Sequence, residues 1–570
     1  MHKMAEKSAL CLALAIPLLG NTALAGSNPG QLAGIWKTSR DLGEGLAGLV
    51  VVDGTHAELE GVRAAAEADA MGRLYCFPGR RGELRVVAPA PATMPIAFWV
   101  QPMTISGSSY ATPVYLRKGQ KDLWRGQIAP VANRVTMTLY VQRSTAGAVT
   151  AFLRDPLYNL GRPLQTMTVT SDGSTLSLRG PAGKLSGSIL NPDTISIAIP
   201  RDGLPSLTLT RSAEPAAQVS ENYREPLPAD DGWTTARASS VGFAIAPLED
   251  LERFAAGSRP TAVTSPAVHA VLVARHGKLV VDDYFAPFDA GSLHDTRSAG
   301  KTYADVLAGA AIEAGVPLSG NTPLLPLFAR YGTLANPDPR KAKITLGNAL
   351  SMATGLDCDD NDEHSAANEN TVQNQTSEPD WYRLLLNVRM VRDPGTKAVY
   401  CSASINLAGG AIASATHAWL PAYFAQHVAA PLQMKRYALN LTPTGDWYLG
   451  GGAYVRPRDF LKIGQLFLNG GTWNGRRVIP RTWIEQSWNA HLAFDPGDGY
   501  GYAWHVRSYT VDGKTYRAYE AQGNGGQILD VLPRLDLTVM IAAGNYNNYK
   551  TWGPTRDAIV TRIIKAIPGE

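Results

Sequence analysis

At residues 213–235 the sequence loses its periodicity: AEPAAQVSENYREPLPADDGWTT mixes Ala, Pro and charge with a period of neither 2 nor 3.6. Such a run reads as a linker, and 570 residues exceed one ordinary domain, so separate units are expected on either side. Before the break the pattern is strand-like. RVTMTLYVQ sets Val135, Met137, Leu139 and Val141 on one face of an extended chain, and TMTVTSDGSTLSLRG is two alternating runs around Asp172-Gly173. TISIAIPRDGLPSLTLTR repeats the design around Asp202-Gly203. Residues 26–212 therefore read as a β-rich N-terminal domain, a barrel or a sandwich. Trp36, Trp99 and Trp124 within it suit a carbohydrate or lipid site or, more commonly for aromatics, core packing.

After the break the character is α+β over residues 236–570. AVHAVLVARHGKLVVDDYF reads as a hairpin turning at His276-Gly277. A helix is expected after Ser298, with Tyr303, Val306, Leu307, Ala310 and Ala314 on one face and Gly315 as its stop. Another runs from a Thr345 cap to Gly355. GYGYAWHVRSY, KTYRAYEAQG, GQILDVLP and LDLTVMIAAG then read as successive strands, and TRDAIVTRIIKAI as a closing helix. The result is a layered domain whose sheet draws on both ends of the segment.

The first residues, MHKMAEKSALCLALAIPLLGNTALAGS, place Lys3 and Lys7 before an apolar run over 9–19 and then Ala23-Leu24-Ala25. That is the order of a secretory signal peptide, residues 1–25, cleaved after Ala25. The run is shorter than the roughly twenty apolar residues a membrane span needs, so the mature chain is expected to be exported, periplasmic or secreted, with no span of its own. A net charge of +4 without a dense Lys/Arg block lacks the footprint of a nucleic-acid binder. A small-molecule partner is expected instead.

The stretch TRSAGKTY holds a serine three residues before a lysine, just ahead of the expected helix. A serine hydroxyl becomes a nucleophile when a base takes its proton and donors receive the charge that develops on the attacked carbonyl. Three residues along a helix is one turn, about 4.5 Å of rise, so Ser298 and Lys301 share a face. At a helix start the Ser298 backbone N–H is also free to serve as an oxyanion donor. By itself S-x-x-K is short enough to arise by chance, and two ordinary polar residues fit it as well.

The order of the remaining motifs resembles the serine β-lactamase and penicillin-binding protein superfamily, closest to family VIII esterases and aminohexanoate-oligomer hydrolases. The resemblance runs from about Phe243 to the C-terminus and leaves out the β-rich N-terminal domain. After the hairpin and S-x-x-K, DPGTKAVYCSASINLAGG puts Tyr400-Cys401-Ser402 where the family has Y-x-N, and EAQGNGGQILDVLPRLDLTVMIAAG looks like the strand carrying K-T-G or its H-x-G variants. Between them, GGGAYVRPRDFLKIGQLFLNGGTWNGRRVIP has the family's cadence. The fold implied is a β-lactamase-like antiparallel sheet flanked by helices, with a helical subdomain.

Carried over by residue, the resemblance implies Ser298 as nucleophile, Lys301 as its activator, and Tyr400 as a partner in the base role that later protonates the leaving group. The implied oxyanion hole is the backbone N–H of Ser298 and of Asn524, which follows Gly523 on the edge strand. Two departures tilt the substrate away from penicillins: Ser402 stands for the asparagine of Y-x-N, and Ala521-Gln522-Gly523 lacks the lysine of K-T-G. Tyr502 and Trp504, read as alternating on a strand beside the cleft, suit either an acyl-pocket wall or strand packing. Cys358 and Cys401 flank site segments and are the expected disulfide, leaving Cys76 spare. The acidic loop over 357–369 is expected to face the cleft from the helical half; it suits a site for calcium or a basic substrate group or, more commonly, a solvated loop held by that bridge, and its carboxylates match no calcium-loop spacing.

No G-x-S-x-G, H-E-x-x-H or Walker-type loop is present. The expectation is thus an exported serine hydrolase acting on a small ester or secondary amide, without cofactor or metal. The alternatives are a β-lactamase or D-alanyl-D-alanine peptidase, and a catalytically silent cell-envelope binding protein.

Overall fold

The computed structural model describes residues 29–569 except 43–46, 70–71, 88–94, 104–106, 121–122, 132–133, 156–163, 200–205, 214–221, 258–261 and 496–497. The expected signal peptide, the Asp202-Gly203 turn and the first part of the linker lie outside the described residues.

Strand β1 (Gly34–Asp41) pairs with Arg134–Arg143 on one side and Leu207–Ser212 on the other, and five further strands close an eight-stranded antiparallel barrel. The alternation read from the sequence fills it: Val135, Met137, Leu139 and Val141 are buried together with Trp36, Leu178, Ile197 and Leu209. Eight strands leave an interior just wide enough for side chains, so this barrel is a packed core. Asp172 fixes one hairpin by accepting the Ser174 and Thr175 amides at 3.1 and 2.7 Å.

The β-rich segment is not one sheet. Nine strands between Gly48 and Ile128, β2 (Ser109–Tyr115) among them, are inserted between the first and second strands of the barrel and form a separate antiparallel array. Trp36 and Trp99 are fully buried, in the barrel and the array respectively, and Trp124 packs on the same array core. All three serve packing.

The second half begins with α1 (Ile245–Ala256) and the hairpin β3 (Val268–Arg275) to β4 (Lys278–Tyr284). Its two turn residues, His276 and Gly277, both have positive φ, 52° and 71°, as a right-twisted two-residue hairpin needs. There follow β5 (His294–Asp295), α2 (Thr302–Glu313), α3 (Ser402–Thr416), β6 (Tyr437–Leu441), β7 (Ala453–Val455), α4 (Pro457–Leu468), β8 (His505–Val511), β9 (Lys514–Gly523), β10 (Gln527–Leu532), β11 (Leu537–Ala543) and α5 (Tyr549–Lys565). The central sheet runs β4-β3-β11-β10-β9-β8, with short strands at each end. Helices α1 and α5 cover one face through Leu248, Leu251, Ile559 and Ile563, and α2, α3 and α4 belong to the core on the other.

Several elements depart from expectation. All of Thr302 to Ala311 is buried, Asp305 included, so this stretch of α2 has no solvent face; it is a central helix of the core. The helix after Thr345 is only Leu346–Leu350, closed by a capping box between Thr345 and Asn348. Strand β9, which carries Gly523, lies inside the sheet between β8 and β10 and is not an edge. The end of the linker is docked: Asp231, 1% exposed, accepts from Arg458 Nε at 2.8 Å.

The N-terminal array reaches the second half by strand pairing. β2 pairs with β6 (Ala111 opposite Leu439, Tyr110 opposite Asn440), β6 pairs with β7, and β7 pairs with β5. One twelve-stranded sheet therefore ends at Asp295, three residues before Ser298.

Candidate active site

Strand β5 hands the chain to a 3-10 turn, Arg297–Lys301. Thr296 is fixed first: its N–H and its Oγ1 both donate to Ala453 O, each at 2.9 Å. Arg297 then takes a left-handed conformation, φ 48°, a state that costs a non-glycine residue about 1–3 kcal/mol and persists only where surroundings enforce it. Asp295 enforces it, accepting the Arg297 N–H at 2.9 Å and its Nη1 at 3.4 Å. The turn's first bond runs from Ala299 N–H to Thr296 O at 3.1 Å, so the Ser298 N–H lies ahead of it.

Lys301, 2% exposed, brings its Nζ to 2.9 Å from Ser298 Oγ, donates also to Gly450 O, and lies 5.1 Å from the centre of the Tyr400 ring. Two glycines press on the turn. A Cβ on Gly451 would stand 3.3 Å from Arg297 O and 3.6 Å from Ser298 N, and one on Gly523 would strike Thr296 O and come within 3.0 Å of Ala299 N. On the Gly523 side there is no room for a Cβ, and on the Gly451 side a φ of 150° disfavours one.

Tyr400 lies just before α3, its ring 5.8 Å from that of Phe494. Cys401 caps α3, its Sγ accepting the Ser404 N–H at 3.1 Å, and is bonded to Cys358; Cys76 is free and exposed. Ser402 is completely buried, so its hydroxyl does not reach an open cleft; its N–H donates to Asp360 Oδ2 at 2.7 Å. Burial and the Glu369 charge push the Asp360 carboxyl above its ordinary range, against the pull of Lys301 and of the Ser402 hydrogen bonds. The acidic loop is thus partly an active-site element. Glu369 accepts the Tyr448 hydroxyl at 2.5 Å, and Asp360, Glu369 and Tyr448 meet beside Lys301 and Gly450.

Asn524 follows β9, with its side chain turned to Asn547: Nδ2 donates to Asn547 Oδ1 and Oδ1 accepts the Asn547 N–H, both at 2.7 Å. Tyr502 and Trp504 sit on the turn before β8, not on a strand, and both are buried. Trp504 donates to Asp305 Oδ2 at 3.0 Å and Tyr502 stacks on His491 at 4.4 Å. Of the two readings open for this pair, packing is the one their burial matches: Trp504 is 0% and Tyr502 6% exposed. At Gln522, Arg507 and Arg556 donate to Oε1 at 3.4 and 3.5 Å, sharing their charge with Glu520. Burial, with the positive charges of Arg507, Arg556 and Lys301, holds the neighbouring His505 down at about 3, so its imidazole is neutral.

Sequence reasoning overlooked Asp295 and Gly450 to Gly452, and gave Asp360 and Glu369 no role beyond their place in the acidic loop. The three consecutive glycines were a visible signal of a close backbone approach; the acids were not separable from a solvated loop. Among the described residues no group of three or more His, Cys, Asp or Glu side chains is placed to hold a metal ion, and no helix is long and apolar enough to cross a membrane.

A 6-aminohexanoate-dimer hydrolase of Paenarthrobacter ureafaciens is 25% identical over 228 residues, 38% of this chain and 56% of that one, so the chain spans about half the length of this curated relative. Among solved structures, a penicillin-binding protein homologue from Caulobacter crescentus aligns at 14% identity over 57% of this chain and 99% of that one, TM-score 0.46. A family VIII carboxylesterase aligns at 17% identity over 57% and 98%, TM-score 0.43. The model of the beta-lactamase family matches residues 257–548, more than half of the chain, and contains the Ser298 turn, the Tyr400 segment and β9: the chain belongs to the beta-lactamase family.

Proposed function

We propose that the protein is an exported serine hydrolase that cleaves a small ester or secondary amide through an acyl-enzyme on Ser298. The observation that carries this is the 2.9 Å hydrogen bond from Lys301 Nζ to Ser298 Oγ, made by a lysine that is 2% exposed. That contact sets the amine where a base must stand to take the serine proton. In the step proposed, Oγ attacks the carbonyl carbon as its proton passes to the Lys301 and Tyr400 pair. The tetrahedral oxyanion is received by the backbone N–H groups of Ser298 and Asn524. Tyr400 returns the proton to the leaving oxygen or nitrogen as that bond breaks, and water then releases the acid by the same sequence.

The names of the relatives, an aminohexanoate-dimer hydrolase and a carboxylesterase, support an amide or ester as substrate. The buried Ser402, in place of an amide side chain, supports a small and unadorned acyl group. Export is supported by the order of residues 1–25 and by the Cys358–Cys401 disulfide, a bond that persists in oxidising compartments. A panel of p-nitrophenyl esters and anilides, with nitrocefin alongside, tests the class: turnover of short esters or anilides with no nitrocefin turnover is expected, and nitrocefin turnover alone would move the assignment to a β-lactamase.

A further inference from the structure

We propose that Asp360 is a positioning residue for Tyr400, tying the acidic loop to the Tyr400 to Ser402 segment where the Cys358–Cys401 disulfide ties it covalently. The proposal rests on the acyl-enzyme reading above. The Asp360 N–H donates to Tyr400 O at 2.8 Å. Its Oδ2 accepts the Ser402 N–H at 2.7 Å, and its Oδ1 accepts the Glu369 N–H at 2.9 Å. One residue thereby joins the first turn of α3 to the short helix Glu369–Asn374 and grips the tyrosine's own peptide.

Each tie does a second job, because the first N–H groups of a helix need acceptors from outside it. The Ser402 N–H takes the Asp360 carboxylate and the Ser404 N–H takes Cys401 Sγ at 3.1 Å. The loop that carries Asp360 is braced from behind. Asp359 N–H donates to Ser365 Oγ at 2.9 Å, Ser365 Oγ to Asp357 Oδ1 at 3.1 Å, and Asn368 Nδ2 to Asp359 O at 3.1 Å. A shift of this braced loop carries the Tyr400 backbone with it. The Tyr400 ring, between Phe494 at 5.8 Å and Lys301 at 5.1 Å, follows its backbone. Displacing a reacting group by a fraction of an ångström is enough to slow proton transfer.

The test uses the full chain, its Asp360→Asn variant, the Cys358→Ser/Cys401→Ser variant and the combination, assayed with a short p-nitrophenyl ester and by hydrogen exchange of the peptide containing residues 400–404. In Asp360→Asn, kcat is expected to fall about 10- to 100-fold with KM within about threefold, while exchange over 400–404 rises. Combining it with loss of the disulfide costs more than the product of the two single losses, because each tie backs up the other. Unchanged kcat, a loss confined to KM, or a fall in kcat with exchange unaltered overturns the proposal; so do losses that simply multiply. Should Asp360→Asn fail to fold, Asp360→Ser, which keeps one oxygen for the Ser402 N–H, is judged by the same readouts. Equal hydrolysis by the parent and Ser298→Ala would sink the acyl-enzyme reading instead, and the exchange measurement still decides whether Asp360 holds the Tyr400 segment.

Discussion

Lys301 has one donor on the serine and another on Gly450 O, so its position is set by the turn that precedes it and the glycines that cover it. Replacing it by methionine keeps the apolar volume and removes the amine. Acylation by a p-nitrophenyl ester, followed by stopped-flow absorbance, is predicted to slow by about 10²- to 10⁴-fold, the range of a lost general base. Gly523→Ala tests the other side of the turn. Its Cβ strikes Thr296 O, so the serine must move; a displacement near 1 Å is worth about 10²-fold in kcat, and wild-type kcat in this variant would show that the close approach has no catalytic role. At this scale the meeting of Ser298 and Lys301 was legible in their three-residue spacing, and the place of Tyr400 beside Lys301 in the order of motifs that carries the resemblance. Asp295 and Asp360 were not, since a carboxylate earns a role only through the backbone N–H groups the fold brings to it.

Helix α2 shows how an element can be right in place and wrong in kind. The sequence marks its start and its glycine stop, yet its burial on every side depends on α3 and the sheet, which no local period encodes. One consequence is Asp305, a turn beyond Lys301 and fully buried, where burial raises the carboxyl from 3.8 to about 7 despite hydrogen bonds from Ser487, Trp504 and Trp483. Its folded value lies above its unfolded one, so its contribution to stability is fully present below pH 3.8 and is lost as pH rises through about 7. Burial raises Asp283 and Glu252 as well, to about 8 and about 7. Thermal unfolding is therefore predicted to show a higher Tm at pH 5 than at pH 9, with a smaller difference in Asp305→Asn; the same slope in both proteins would contradict the assignment to Asp305. The packing of Tyr502 and Trp504 has the same origin: both belong to the buried cluster that includes Asp305's partner Trp483.

Over the whole molecule, alternation and turn residues foretold a β-rich first half, and the closed barrel satisfies that pattern. They did not foretell the inserted array, because alternating strands look alike whichever sheet they join; the choice is made by pairing partners hundreds of residues away, as in β2 with β6. That pairing makes the N-terminal half part of the support for Ser298. Tyr110 on β2 packs edge-on against Tyr454 of β7, ring centres 5.4 Å apart, and Tyr454 lies opposite Asp295. Tyr110→Ala is predicted to cost about 3–5 kcal/mol in urea unfolding and to slow acylation, although residue 110 lies outside the family match; unaltered acylation would mean the array is only an appendage. The central claim, a nucleophilic serine with a lysine as its base, is tested most directly by the intact mass of the chain and of Ser298→Ala after incubation with a fluorophosphonate probe. One adduct on the parent, mapped to the peptide holding TRSAGKTY, with none on the variant, is the result predicted; equal labelling of both would place the nucleophile elsewhere and contradict the account.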